Sequence, residues 1–291
     1  MNKDSLDKLL EREFEMLPPK LQQAAQYVAG NPKSIALESM RTAAAYAGLQ
    51  PASMLRLARQ LGFDNYESFR DVFREWLSGR DGPFSDRAAA LRDRTGGDPK
   101  SDLIPEILEA EIRNLTATLN PDTQKQMIAA QRCLAGAERI YVGALRSMFP
   151  VAYYFSYVCG MFLNNTTLLT GIGGAFADDL RRIGPGDVFV AFSYDPYTKD
   201  IVTATQFVSE RGAKIISITD SPISPIASLA DVLLTFSTET PSLFPSVLSA
   251  MAIAQGLAAL LVANSNEESL GELKNSETQL KRFDTYITRK S

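Results

Sequence analysis

From about residue 138 the hydrophobic residues change period, and this change limits the fold more than any other feature of the chain. Short apolar runs at 139–143, 166–170, 187–193, 214–219 and 231–236 read as five strands. Helical stretches follow the first, to about Leu163, and the third, to about Arg211. A long apolar helix spans about 245–263. Nearly continuous hydrophobic strands that alternate with helices predict a mostly parallel sheet, covered on both faces in three αβα layers.

The first 78 residues follow a helical period instead. Helices are expected over 5–17, from Pro18-Pro19 to Gly30-Asn31-Pro32, from Ser39 to Gly48, over 51–61, and from Tyr66 to Leu77. The fourth of these divides into two faces at about 100° per residue. Met54, Leu55, Leu57, Ala58 and Leu61 fall on one side. Ala52, Ser53, Arg56, Arg59 and Gln60 fall on the other, with no acid among them. Pro51 suits a first helical turn, and Gly62 suits a left-handed cap. A turn of about three residues joins this helix to the one before it, where Ala43, Ala44 and Ala47 permit close packing. That is helix-turn-helix spacing; a helical bundle with no affinity for DNA fits the same pattern.

Charge is spread unevenly. The chain of 291 residues carries a net charge of −4, yet 16–62 hold Lys20, Lys33, Arg41, Arg56 and Arg59 against Glu38 alone, a net of +4. A basic patch on an acidic protein fits contact with nucleic acid through one face. There is no histidine, which excludes histidine triads and histidine metal sites and removes the commonest general acid–base. With only Cys133 and Cys159 in the chain, no metal site or cofactor is expected, and both thiols read as packing residues of a cytoplasmic protein. No run of about 18 apolar residues escapes interruption, so no membrane span is expected. The first residues lack a basic-then-apolar leader pattern.

Residues 79–99 read as a linker rich in Gly and Pro, followed by helices at about 102–119 and from Pro121 to Leu134. The expected division is a helix-turn-helix domain at 1–78, a linker and connecting helix at 79–120, an α/β domain at 121–263, and a helical tail at 264–291. Ligands of open parallel sheets sit at the carboxyl ends of strands. Two such ends carry suggestive loops, Gly143-Ala144-Leu145-Arg146-Ser147 and Ser193-Tyr194-Asp195-Pro196-Tyr197-Thr198. Glu239 lies in the loop before the long helix, where it could meet a sugar hydroxyl or only solvent. Asp178-Asp179 reads as a solvated pair beside Arg181-Arg182.

The chain resembles RpiR/MurR-type bacterial regulators, which join a helix-turn-helix domain to a sugar isomerase (SIS) domain. The N-terminal likeness runs from Ala47-Gly48-Leu49-Gln50-Pro51-Ala52-Ser53 and Arg56 through Leu61-Gly62-Phe63-Asp64-Asn65-Tyr66-Glu67-Ser68-Phe69-Arg70. The SIS likeness rests on Gly143–Ser147, Ser193 and Thr198, Gly212-Ala213-Lys214-Ile215-Ile216-Ser217-Ile218-Thr219-Asp220, Ser224-Pro225-Ile226-Ala227, and Ala230-Asp231. Together these cover most of 18–263.

The resemblance implies a regulator, commonly a repressor, that acts as a homodimer or homotetramer on double-stranded DNA bearing an inverted repeat. Gln50, Ser53, Arg56, Arg59 and Gln60 are the candidate base contacts, and Lys20, Lys33 and Arg41 the candidate phosphate contacts. A sugar or sugar-phosphate effector would meet Arg146, Ser147, Ser193, Asp195, Thr198 and Glu239. Two departures stand out. Gln50 replaces the family's usual hydroxyl N-cap, and Gln caps poorly. Asp195-Pro196 interrupts the Ser-x-Ser-Gly-x-Thr phosphate loop and reads as a helix start, with Asp195 as cap. At an effective dielectric near 20, a carboxylate about 4 Å from a phosphate costs roughly 4 kcal/mol. An unphosphorylated sugar, polyol or sugar acid fits this loop as well as a phosphosugar. A sugar-phosphate isomerase with an added helical domain, and a sugar sensor that binds another protein, are the alternatives.

Overall fold

The computed structural model describes residues 3–78, 84–95 and 102–287. Six helices come first: α1 Lys3–Glu13, α2 Pro19–Gly30, α3 Pro32–Leu37, α4 Met40–Tyr46, α5 Pro51–Gln60 and α6 Tyr66–Ser78. Then follow α7 Phe84–Thr95, α8 Leu103–Thr118 and α9 Pro121–Ala135. Strands and helices alternate in the second half: β1 Ile140–Gly143, α10 Phe149–Gly160, β2 Thr166–Leu169, α11 Phe176–Asp179, β3 Val188–Ser193, α12 Lys199–Glu210, β4 Lys214–Thr219 and β5 Val232–Thr235. Helices α13 Leu248–Ala263 and α14 Glu267–Arg282 close the chain.

The five expected strands form one sheet in the order β2-β1-β3-β4-β5, and every pairing is parallel. β3 lies at the centre and is buried along its whole length. Its side chains alternate as a pleated strand requires. Val188, Val190 and Phe192 join α9, α10 and α13 on one face, while Phe189 and Ala191 join α12 on the other. Gly143 permits this packing: a Cβ there would stand 2.6 Å from the Phe189 ring. Buried Asp187 anchors the entry to β3 by accepting both arms of Arg139, each at 2.9 Å, and the Gly184 amide.

The N-terminal helices close on a second core that contains Leu6, Leu10, Met54, Leu57, Phe69 and Phe73. Edge-to-face contacts run from Phe63 to Phe69 and from Phe69 to Phe73, at 5.3 and 5.2 Å. Two elements differ from expectation. The segment after Pro32 forms α3 rather than a break, and Arg70 and Arg74 donate to the carbonyls of Glu38 and Ala36 at and beside its end. Within the expected linker, α7 forms and stacks Phe84 on Phe244 with ring centroids 4.2 Å apart. Few large apolar groups on α7 had marked it as helical; a partner from the other half of the chain supplies the packing.

One residue of the second half enters the N-terminal core. Ile223, on the loop after β4, is 1% exposed and packs into the N-terminal core. Around it, Ser221 donates to Glu11 at 2.8 Å, and Pro225 lies against Gly30. No single helix among the described residues is long and apolar enough to cross a membrane.

Candidate functional site

The helix-turn-helix is set by its caps. The Ser39 hydroxyl accepts the Thr42 amide at 3.2 Å and starts α4. Gly48, at φ +67°, ends that helix. Its amide reaches the Ala45 carbonyl, and the Leu49 amide reaches Ala44. α5 ends in the same way. Gly62 has φ +88°, its amide bonds Arg59, and the Phe63 amide bonds Ala58. Both ends are therefore Schellman motifs. The Gln23 side chain donates to the Ala47 carbonyl at 2.9 Å and pins the turn between the helices.

The two faces of α5 separate as its sequence requires. Met54, Leu57 and Ala58 are wholly buried, whereas Arg56, Arg59 and Gln60 are exposed and Ser53 is half-buried. Gln50 is the N-cap of α5, makes no side-chain cap bond and is exposed. Lys20 and Arg41 are also exposed. The Lys33 side chain lies outside the described residues. This domain therefore presents guanidinium and amide groups beside a buried apolar stripe, a chemistry suited to base edges and phosphates.

The loops at the carboxyl end of the sheet do not gather the six candidate effector residues into one cluster. Ser193 is 3% exposed. Ser147 shares a 2.6 Å hydrogen bond with the Tyr194 hydroxyl, which bridges the crevice between β1 and β3. Arg146 is exposed and holds a left-handed backbone at φ +56°. Thr198 is half-buried. Only Asp195 and Glu239 line a large cavity, of about 1080 Å³, between the two halves of the molecule. Its walls come from α1, the turn between α2 and α3, α7, α8 and the loops after β3, β4 and β5.

Asp195 does not start a helix. Thr198 is the N-cap of α12, and its carbonyl accepts the amides of Ile201 and Val202 at 3.1 and 3.2 Å. The Asp195–Pro196 peptide is cis and stands in the loop before it. The physical reason lies on the neighbouring strand, where the Asp220 carboxylate takes the Asp195 amide at 3.1 Å. Asp220 also accepts the Thr219 hydroxyl at 3.2 Å and the hydroxyl of Tyr197. Burial pushes the Asp220 carboxyl above the usual range, and these hydrogen bonds oppose that shift. Burial, with the charges of Asp220 and Asp195 beside it, holds the Tyr197 hydroxyl well above the ordinary tyrosine range, so it remains a donor.

Asp220, Tyr197 and Ser221 were missed as site residues, although Asp220 follows the apolar run Ile215–Thr219, where strand-end ligand groups belong. Nothing in the sequence of α1 marks Lys8 or Glu11 as cavity residues. Glu239 reaches across the domain boundary to Lys8 at 3.6 Å, while its carbonyl accepts the Asn114 amide at 2.6 Å. Asp178 pairs with Arg181 on the surface. Cys133 and Cys159 are free thiols; burial raises both, Cys159 to about 12, which keeps them protonated in their packing positions.

Comparison with known proteins agrees with this two-part construction. The SIS domain family matches residues 133–263. An uncharacterized HTH-type transcriptional regulator of Caldanaerobacter subterraneus subsp. tengcongensis is 27% identical over 232 residues, which are 76% of each chain. The sugar isomerase domain of the RpiR transcription factor from Sphaerobacter thermophilus superposes with a TM-score of 0.57 at 25% identity, over 61% of this chain and 99% of that one. The Vibrio vulnificus NanR protein, complexed with ManNAc-6P, shares the fold over 96% of this chain and 98% of its own, with a TM-score of 0.54 and 21% identity. With a helix-turn-helix at one end and a SIS domain at the other, the chain has the two-part build of an RpiR-type transcriptional regulator.

Proposed function

We propose that the chain binds operator DNA through α5 and changes that binding when a sugar-derived effector occupies its SIS half. The observation that carries this reading is the exposed polar face of α5, with Arg56, Arg59 and Gln60 displayed on a helix whose other side is committed to the core. Arg suits the guanine edge and Gln the adenine edge. Lys20, Lys33 and Arg41 hold phosphates in this reading, and Gln50 and Ser53 stand at the start of the reading helix. The shared fold with NanR, solved with ManNAc-6P, supports a sugar-derived effector. Of the six candidate residues, Asp195 and Glu239 line one cavity and remain its proposed contacts; Arg146, Ser147, Ser193 and Thr198 stand apart from it.

Two copies of the chain place two reading helices on an inverted repeat, with half-sites about one helical turn apart. The protein acts in the cytoplasm as a homodimer or homotetramer, and as a repressor that effector binding relieves. Effector binding works by shifting the population of head spacings that fit the operator. It is a regulator and not an isomerase: its relatives are named regulators, and the chain lacks the histidine that most often moves protons in catalysis.

Footprinting on the DNA upstream of its own gene, with and without candidate sugars, tests this reading. Arg56→Ala weakens operator binding by about 1–3 kcal/mol if Arg56 reads a base. Unchanged affinity and unchanged sequence preference in that variant would remove Arg56 from the interface. Affinity also falls steeply with salt, because phosphate contacts release counterions.

A further inference from the structure

We propose that the effector binds in the interdomain cavity, against α1 as well as the sheet, and that it is a polyhydroxyl compound carrying no phosphate. This rests on the reading of the chain as an effector-controlled DNA binder and names the ligand class for that control.

The protein already supplies the anion at the strand end. The Asp195 amide, which an anion entering this loop would need, donates to the Asp220 carboxylate at 3.1 Å. Pro196 has no amide hydrogen to offer. Tyr197 spends its hydroxyl on the same carboxylate. A phosphate here would have to displace a half-buried carboxylate that three donors hold.

Among the described residues, seven acids and five bases line the cavity. Each of these cations also has a partner. Lys3 pairs with Asp7 at 2.7 Å, Lys8 with Glu239 at 3.6 Å, Arg94 with Glu106 at 2.7 Å, and Arg113 with Glu109 at 3.9 Å. Arg87 donates to the Ser242 carbonyl at 3.4 Å. A dianionic ligand therefore meets walls with a net negative charge, whereas neutral hydroxyls can donate to carboxylates and carbonyls without adding charge. At about 1080 Å³ the space exceeds what one monosaccharide fills, leaving room for ordered water beside it.

Lys8 and Glu11 belong to α1, so a ligand in this cavity touches the DNA-binding half directly. Its hydroxyls compete with Ser221 for Glu11 and with Lys8 for Glu239, two of the contacts that tie the halves together.

Calorimetric titration of the full-length protein tests this, with free hexoses, hexosamines and N-acetylhexosamines, each beside its 6-phosphate. The expected result is a free sugar that binds while its 6-phosphate binds at least about tenfold more weakly, as charge repulsion requires. Asp195→Asn narrows that gap several-fold. Glu11→Gln or, should that variant fold poorly, Ser221→Ala changes the affinity for the free sugar several-fold. The proposal falls if the 6-phosphate binds more tightly, if no free sugar binds, if the gap persists in Asp195→Asn, or if the Glu11 and Ser221 variants both titrate like the parent. Operator binding without sugar, measured on the same preparations, separates the two readings. Where it is intact, any of those results overturns this inference alone; where it is absent, the DNA-binding reading falls.

Discussion

Helix α5 and the interdomain cavity are built in opposite ways. α5 is a local object. Its start, its cap, its apolar stripe and its polar face all lie within Gln50–Phe63, and the hydrogen bonds that end it span five residues or fewer. The cavity is a distant assembly: Ser221 meets Glu11 across 210 positions of sequence, and Asn114 meets Glu239 across 125. Local objects tolerate change elsewhere in the chain. Distant assemblies fail when either side moves, and this makes the cavity wall a suitable place for a signal to enter the DNA-binding half.

The strongest way to break this comparison is to unfold one half alone. Phe69→Ala removes a fully buried ring that touches both Phe63 and Phe73. It should cost the N-terminal half about 3–5 kcal/mol. Denaturant unfolding followed domain by domain should show this loss without an equal loss in the SIS half. Equal losses would mean that the two halves form one cooperative unit. Ile223→Ala tests the junction itself. A buried Ile truncated to Ala costs about 2–5 kcal/mol, and here it should appear as faster amide exchange in the N-terminal core, although the substitution lies in the other half. Unchanged exchange would show that the plug adds nothing to that core.

Two smaller effects sharpen the contrast. Nothing lies within 4 Å of a Cβ built on Gly62, so Gly62→Ala pays only for its left-handed backbone, about 1–2 kcal/mol. Thermal melts should show that cost with no change in the SIS half. The smallest effect is one of pH. Burial raises the Glu11 carboxyl above its ordinary range; the Ser221 hydrogen bond opposes the shift and Asp7 adds to it. A carboxyl raised on folding binds its proton more tightly in the folded state. Its contribution is present below the unfolded value and is lost as pH rises through the raised one. Stability should therefore fall as pH rises across that window, and Glu11→Gln should flatten the slope. The same slope in the variant would assign the dependence to other groups.

Much of the fold is legible in the sequence. The five strands appear where the apolar runs stand, and most plainly at β1, β3 and β4, because a strand buried on both faces must be apolar at nearly every position. The capped helices follow from Ser39, Gly48, Pro51 and Gly62, whose chemistry acts within a few residues. α3 and α7 were less visible. α3 is six residues long and starts at a proline that reads equally well as a break, and α7 carries little apolar surface of its own. Asp195-Pro196 misled because Asp before Pro is a sound local helix start, yet a carboxylate 25 residues away holds the Asp195 amide.

The sequence by itself determined the architecture: a helical half with the capped helix α5, and a parallel sheet wrapped by helices. Those features rest on periodicity and on short-range hydrogen bonds, which the order of residues specifies directly. Only the tertiary structure decided that Asp220 holds the Asp195 amide and the Tyr197 hydroxyl, and that Ser221 meets Glu11. It also decided that Ile223 enters the core of the other half. Such contacts depend on how two finished surfaces fit, and no local pattern of residues encodes that fit.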